Sequence, residues 1–175
     1  MKRITHHAKR ITNLQYIHPR ATILGDVTLG KNISIFPGAV LRGDFQPIKI
    51  GNYTNVQDNA VIHGGHEQKV EIGDYVSIGH GAIVHGCKIG NYVLIGMGSI
   101  ILNGAEIPDN TFIGAGALVP ENKKLEPGVY VGVPARKMRD MQAGDHEYIR
   151  HNAVEYWEMA QKFMRVKNPR FLTNK

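Results

Sequence analysis

Aliphatic residues recur at every sixth position along most of this chain. They fall in four groups, within each of which the step is six: Ile23, Leu29, Ile35 and Leu41; Ile50, Val56 and Ile62; Ile72 and Ile78; and Ile89, Ile95, Ile101, Ile107, Ile113 and Val119. A step of six fits neither an α-helix nor an uninterrupted alternating strand. It is typical of a parallel β-helix, in which each hexapeptide leaves an apolar face that only the next coil covers. The pattern therefore predicts a mainly β protein built from hexapeptide repeats.

Glycine follows many of these aliphatic residues, as at Gly51, Gly73 and Gly96. We expect a sharp corner at such positions, because a corner favours a residue without a Cβ. Three hexapeptides make one turn of roughly 18 residues, and stacked coils lie about 4.8 Å apart. Residues near 18 apart should then lie one above the other. A sandwich of short antiparallel strands is the alternative fold.

The repeat divides the chain into five predicted segments. They are an N-terminal arm (1–20), the β-helix (21–133), a connector (134–144), a C-terminal helix (145–166) and a tail (167–175). Two short insertions, 45–49 and 64–70, interrupt the β-helix and are expected to project at corners, where function often collects. Pro134 is expected to end the ladder pairing, because proline cannot donate to it.

The predicted C-terminal helix is amphipathic, with Asp145 as a candidate cap. A single helix of this kind must bury its apolar stripe, and the outer wall of the β-helix is the nearest surface. Trp157, the only tryptophan, is expected to anchor that contact or one with a neighbouring subunit.

Composition narrows the class of protein. The chain has 175 residues, of which 42% are hydrophobic, enough for one continuous core. Its single cysteine, Cys87, excludes an internal disulfide, and no apolar run approaches the roughly 20 residues of a membrane span. The first residues lack the apolar stretch of a signal peptide, so we expect a cytoplasmic protein with no membrane partner.

The net charge of +6 raises the question of nucleic-acid binding. The basic residues gather near the two ends of the chain, and no aromatic residues interleave with them as a stacking platform requires. We therefore predict no nucleic-acid partner.

Three histidines carry the candidate chemistry: His63, His80 and His85. The second and third follow the first by about one coil, so the spacing predicts that all three cluster along one edge. Three imidazoles plus water form an open, catalytic Zn²⁺ site, which lowers the pKa of water to about 7 and so supplies hydroxide at neutral pH. Fe²⁺ and Co²⁺ also suit three imidazoles. The alternative is three unrelated surface histidines.

The sequence around these histidines resembles the γ-class carbonic anhydrases and their close relatives. The motifs that carry the resemblance are Arg42-Gly43-Asp44, residues 50–58, His63, Ile78-Gly79-His80, His85 and residues 94–98, and it covers roughly residues 15–165. It implies a left-handed coil and a homotrimer. It also implies that His63 and His85 of one subunit and His80 of its neighbour hold the metal, so that three sites form at three interfaces.

The resemblance assigns further roles near the metal. It implies that Gln57 hydrogen-bonds the metal-bound water or bicarbonate and that Asn55 lies in the same pocket. Arg42, Asp44 and Asp58 resemble the charged set that ties subunits together beside the site. A guanidinium between two carboxylates is a strong, directional arrangement; the alternative is an ordinary surface salt bridge of little weight.

The proton shuttle is the point at which this chain departs from the family pattern. Phe45 follows the Arg-Gly-Asp motif, where the best-known active members carry a glutamate. The short loop between His63 and His80 offers His66 and Glu67 as candidate shuttles, although both can equally be solvent-facing residues. Tyr156 is a candidate for the lining of the same pocket, since related chains place a helix tyrosine there; its alternative is core packing.

These observations predict a metal-dependent hydratase that interconverts CO₂ and bicarbonate. Two other functions stay open. The segment Gly132–Arg136 resembles the end of the coil region in acetyl-CoA-dependent relatives, which favours acyl transfer or, with a metal, thioester hydrolysis. The third hypothesis is a trimeric scaffold that keeps the metal for stability.

Overall fold

The computed structural model describes residues 15–165. Strands of successive coils pair in parallel and build three walls around one aliphatic core. The predicted fold class is confirmed: a parallel β-helix of hexapeptide repeats with one C-terminal helix. Most of the predicted arm and all of the predicted tail lie outside the described residues.

Each wall is a ladder of short strands. The first wall consists of β1 (Gln15–Ile17), β3 (Ile33–Ile35), β5 (Asn55–Val56), β8 (Ser77–Ile78), β11 (Val93–Ile95), β14 (Thr111–Ile113) and β16 (Gly128–Val131). The second consists of the first halves of β2 (Thr22–Leu29) and β4 (Val40–Ile50), followed by β6 (Val61–His63), β9 (Ile83–His85), β12 (Ile100–Ile101) and β15 (Leu118–Val119). The third consists of the second halves of β2 and β4, followed by β7 (Val70–Ile72), β10 (Lys88–Ile89) and β13 (Glu106–Ile107).

The six-residue series supplies the core. Its members from Ile35 to Val119 are buried, and most of them are fully buried, whereas Ile23 and Leu29 at the first coil are partly covered. Short strands such as β3, β7 and β11 point two side chains inward, and the two-residue strands point one, so each coil covers the apolar face of the one before it.

The glycines after the aliphatic positions are needed for a different reason from the one predicted. Gly73 and Gly96 do not have positive φ. A Cβ on Gly73 would lie 2.7 Å from the backbone carbon of Gly90, and one on Gly96 would lie 2.5 Å from the backbone nitrogen of Ala115. The next coil passes too close for a side chain, so close stacking, and not turn geometry, selects glycine here.

A stack of tyrosines lies at the corner between the third and first walls. Tyr53, Tyr75 and Tyr92 adopt φ of 52°, 56° and 53°, a left-handed region that bulky residues rarely occupy. Their rings are nearly parallel, with centroids 4.9 and 5.0 Å apart. Ring stacking along the coil axis offsets the unfavourable backbone conformation.

The pairing extends past both predicted limits of the β-helix. β1 lies in the predicted arm but pairs with the first wall in parallel register. After Pro134 the chain forms β17 (Arg136–Arg139), which pairs antiparallel with β16. The expectation that pairing ends at Pro134 is therefore wrong, because the chain reverses and uses the open edge of β16 in a new direction.

Helix α1 (Ala143–Arg165) begins two residues before the predicted start. Asp145 accepts a hydrogen bond from the backbone N–H of Gln142 at 2.8 Å, so it caps from inside the first turn. The Arg139 guanidinium binds the same carboxylate through two nitrogens, at 2.5 and 2.9 Å, and lowers the pKa of Asp145 to about 2.

The helix packs on the first wall, as predicted. It contacts β1, β3, β5 and β8 and buries the stripe Ile149, Ala153, Trp157 and Ala160. Trp157 is buried within its own chain, so it anchors this contact. Within residues 15–165 there is no helix with the length and apolarity that a bilayer crossing requires.

The other two walls present opposite surfaces. On the second wall, one aligned outward column reads Thr22, Val40, Val61, Ile83, Ile100 and Leu118. On the third wall, the matching column reads Thr28, Lys49, Glu71, Lys88, Glu106 and Lys124. Half-buried aliphatic residues therefore dominate one column and alternating charges dominate the other.

Candidate metal centre

Two of the three histidines meet at the edge of the second wall where its strands end. His63 ends β6 and His85 ends β9, and the parallel register pairs them directly. His63 Nδ1 lies 2.9 Å from His85 Nε2, and the ring centroids are 4.9 Å apart. We call this surface the paired-histidine edge.

A charged pair holds His63 from the other side. Its Nε2 lies 2.9 Å from Asp44 Oδ1, and Arg42 lies 2.5 Å from the second oxygen of Asp44. Desolvation raises the pKa of Asp44, but the hydrogen bonds from His63 and Arg42 outweigh it and lower the pKa to about 2. Asp44 is therefore an anion that accepts from His63.

The position of Arg42 also indicates which ring nitrogen of His63 carries the lone pair. One guanidinium nitrogen lies 3.5 Å from His63 Nδ1. A guanidinium has only donors to offer, so this arrangement favours the tautomer in which His63 Nδ1 is unprotonated. The nitrogen that faces His85 is then a candidate ligand atom.

Sequence reasoning missed one residue at this edge. Asn103 lies one coil beyond His85, and its Oδ1 is 2.6 Å from His85 Nδ1. Its distance of 18 residues from His85 equals one coil of the predicted repeat, so the coil spacing could have identified it.

The paired-histidine edge fits part of a metal site. Tetrahedral zinc with Zn–N distances of 2.0–2.1 Å separates its ligand nitrogens by about 3.3 Å. His63 Nδ1 and His85 Nε2 are 2.9 Å apart, so opening this pair by a few tenths of an ångström admits a cation. Each ring also has an oxygen partner on its other nitrogen, which is the usual support for ligating histidines.

His80 lies at the opposite edge of the second wall, on the corner that precedes β9. Its Nδ1 lies 3.0 Å from Asp58 Oδ2, and the hydroxyl of Tyr156 lies 3.4 Å from its Nε2. Burial and the charge of Asp58 raise the pKa of Tyr156. Asp58 accepts from His80 Nδ1, which leaves Nε2 to accept from the Tyr156 hydroxyl. His80 is exposed, with a lone pair on Nε2 directed away from Asp58. We call this surface the single-histidine edge.

Gln57 belongs to the single-histidine edge. Its Nε2 donates to Asn55 Oδ1 at 3.0 Å, and Asn55 Nδ2 donates to Ser77 Oγ at 2.8 Å. Asn55 and Ser77 are outward residues of the first wall beneath α1, and both are buried. Gln57, Ser77 and His80 line one cavity of about 230 Å³ between the helix and this corner.

The three predicted ligands do not cluster along one edge of a single chain. Among residues 15–165 of one chain, no group of three or more His, Cys, Asp or Glu side chains is arranged to hold a metal. The width of the second wall separates His80 from His63 and His85, because His80 precedes its strand and the other two end theirs. The clustering inferred from spacing alone is wrong for one chain; the ligand set implied by the resemblance, with His80 from a neighbour, stays a prediction.

The predicted charge network is divided in the same way. Arg42 pairs with Asp44 at one edge, and Asp58 pairs with His80 at the other. Within one chain the guanidinium therefore does not lie between two carboxylates. A network across two subunits stays a prediction.

The candidate shuttles lie on the exposed loop beside the paired-histidine edge. The His66 ring lies 4.1 Å from that of Phe45, which in turn lies 5.9 Å from that of His63. Phe45 therefore stands between His66 and the histidine pair. Glu67 is exposed on the same loop, and a shuttle role for either residue stays a prediction.

Comparison with known proteins agrees with this fold. The bacterial transferase hexapeptide (six repeats) family model matches residues 86–121. Gamma carbonic anhydrase 2, mitochondrial, of Arabidopsis thaliana is 37% identical over 153 residues, which are 83% of this chain and 55% of the plant protein. The chain thus spans about half the length of that relative. Protein YrdA of Escherichia coli is 38% identical over 156 residues, 85% of each chain.

A solved structure extends the comparison. The crystal structure of a hexapeptide transferase family protein from Anaplasma phagocytophilum superimposes with a TM-score of 0.83 and 37% identity, covering 87% of this chain and 90% of that one. The fold and these matches define a hexapeptide-repeat protein. Within that class, the chain belongs to the family of γ-carbonic anhydrases and YrdA-like proteins.

Proposed function

We propose that this chain forms a homotrimer that interconverts CO₂ and bicarbonate at metal sites shared between neighbouring subunits. One observation carries the proposal: the two edges of the second wall hold complementary halves of one ligand set. The paired-histidine edge offers two imidazoles, and the single-histidine edge offers the third with Gln57 beside it.

The surface between the two edges supports the assembly. The aliphatic column of the second wall is only half-buried in one chain, and Ile83 at its centre is 39% exposed. Joining one edge of this wall to the opposite edge of another copy is a head-to-tail contact, which forms a ring if the rotation closes. Three copies in the ring are what the family resemblance implies.

The metal would be held by His63 and His85 of one subunit and His80 of the next. Zn²⁺ suits three imidazoles, as do Fe²⁺ and Co²⁺. A metal in an open site of this kind lowers the pKa of bound water to about 7 and so supplies a nucleophile at neutral pH.

The residues of this chain orient the reactants. Asn55 holds the Gln57 amide through its nitrogen, which leaves the Gln57 carbonyl oxygen free to accept a hydrogen bond from the hydroxyl group of bicarbonate. Asp58 holds the His80 ring. The proton leaves through the loop that carries His66 and Glu67, or to buffer.

The test combines metal analysis with catalysis. Protein purified without chelator is assayed for bound metal and for CO₂ hydration, and the same measurements are made on His80→Ala. We expect the substitution to remove metal and to lower the hydration rate by about 100-fold or more, because a lost ligand does more than a lost outer partner. His151→Ala is the matched control, since His151 is exposed on α1. Unchanged hydration by His80→Ala would overturn the proposal.

Acyl transfer or thioester hydrolysis is the second candidate function. It is favoured by a larger apolar cavity of about 430 Å³ beside His80, whose lining includes Tyr16, Phe36 and Phe163. Thioester turnover in a protein without CO₂ hydration would select it. A scaffold role would show as dissociation on metal removal in a protein with neither activity.

A further inference from the structure

We propose that Asn103 is a positioning residue for the metal site, because its side-chain carbonyl fixes His85 in the tautomer that turns a lone pair toward His63. The inference rests on the proposed function. It concerns a residue outside every motif that carries the family resemblance.

The chemistry of the contact determines the tautomer. Asn103 Oδ1 lies 2.6 Å from His85 Nδ1. A carbonyl oxygen accepts and cannot donate, so the hydrogen between these atoms belongs to His85 Nδ1. A neutral imidazole carries one N–H, and Nε2 is therefore unprotonated. Nε2 is the atom that lies 2.9 Å from His63 Nδ1.

The opposite tautomer would block the site. With its hydrogen on Nε2, His85 would donate to His63 Nδ1, and the two rings would satisfy each other without a metal. A cation would then have to displace that hydrogen. With the hydrogen held on Nδ1 by Asn103, the lone pairs of His85 Nε2 and His63 Nδ1 face each other. Two lone pairs repel at 2.9 Å, so this state favours opening of the pair and entry of a cation between the two nitrogens.

Two glycines make room for the Asn103 carbonyl. A Cβ on Gly86 would lie 2.4 Å from Asn103 Oδ1, and one on Gly65 would lie 3.0 Å from it. Gly86 also has a φ of 50°, which few other residues adopt. The backbone beside His85 is thus shaped so that the oxygen can reach the ring.

The tautomer of His85 can be read directly by ¹⁵N NMR of the metal-free protein at a pH where the ring is neutral. We expect the Nδ1–H form in the wild type. Asn103→Leu removes the acceptor at similar volume, so we expect the Nε2–H form to gain population. Zn²⁺ affinity, measured by chelator competition, should fall about 10- to 100-fold, and Asn103→Asp, which keeps an acceptor, should retain both properties.

Asn91→Leu is the matched control. Asn91 Oδ1 accepts from the backbone N–H of Asp74 at 2.9 Å, so it also joins two coils, but at another corner. We expect it to lower the melting temperature while leaving the His85 tautomer and the Zn²⁺ affinity unchanged.

Two results would overturn the inference: an Nε2–H tautomer in the wild type, or a tautomer and Zn²⁺ affinity that Asn103→Leu does not change. The first needs no variant, so it holds even if Asn103→Leu fails to fold. A wild-type protein that binds no Zn²⁺ yet shows the Nδ1–H tautomer would refute the proposed function and leave the positioning contact in place.

Discussion

The second and third walls of the β-helix are built alike and present opposite surfaces. Both pair in parallel, and both point an aliphatic side chain into the same core. They differ in the outward residue of each strand, which is Ile83 on one wall and Lys88 on the other within a single coil. The inward residues specify the fold, and the outward ones decide which wall stays hydrated.

The charged column gives the third wall a surface that favours contact with solvent. Lys69 donates to Glu71, and Lys124 donates to Glu106, at 2.8 and 2.7 Å. These contacts lower the pKa of both glutamates. Burying such a ladder against another protein would require desolvation of every charge, so the surface disfavours assembly.

The largest effect should come from placing a charge on the second wall. Ile83→Glu would bury an unpaired carboxylate at each proposed interface, at a cost of several kcal/mol. We expect the particle mass, measured by light scattering, to fall to that of one chain and the bound metal to be lost.

Lys88→Glu is the matched control for that substitution. It places the same side chain in the same coil on the third wall, where we expect the mass and metal content to stay those of the wild type. If Ile83→Glu keeps the wild-type mass, the second wall is not the interface.

Mixing two inactive variants should restore part of the hydration activity. His63→Ala and His80→Ala should each be inactive, because each lacks one ligand of every site. Co-expressed in equal amounts, they should form mixed trimers in which one of the three sites is complete, giving about a quarter of wild-type hydration activity overall. If mixing restores no activity although mixed trimers form, the ligands do not come from two chains.

The smallest effect should come from the charged column. Because the pKa of Glu106 is lowered in the folded protein, its ion pair stabilises above the unfolded pKa of about 4.3 and is lost as pH falls through the folded value. We expect Glu106→Gln to lower the melting temperature by about 1–2 °C at pH 7 and by nothing measurable at pH 3 or in 1 M salt. A larger drop in melting temperature that persists in 1 M salt would indicate that Glu106 stabilises the fold through packing and not through its charge.

The sequence predicted the walls better than it predicted the corners. The six-residue series could be read directly because buried aliphatic positions such as Ile62 and Ile95 leave no choice of face. The reason for glycine at the corners was harder to predict. Gly73 is required because the backbone of the next coil passes close to it, and no local sequence pattern describes that contact. β17 was missed because a reversal after a proline leaves no repeat to follow.

The candidate site was predicted in parts. His63 and His85 were paired correctly, because their separation is one coil plus an insertion. His80 was placed on the wrong edge by spacing alone, since one coil with its insertion takes the 22 residues that pair His63 with His85, and a separation of 17 residues falls short of it. Asn103 was overlooked because an amide carries no charge to mark it.

The loop from Gly64 to Lys69 lengthens one coil without disturbing the register, so His63 and His85 pair although 22 residues separate them. Insertions of this kind are absorbed at corners, where they leave the ladders on either side aligned. A search for similar sites by fixed residue spacing would therefore discard true relatives with longer or shorter loops. Aligning such proteins coil by coil, with each residue assigned to a wall and a coil, would retain these relatives.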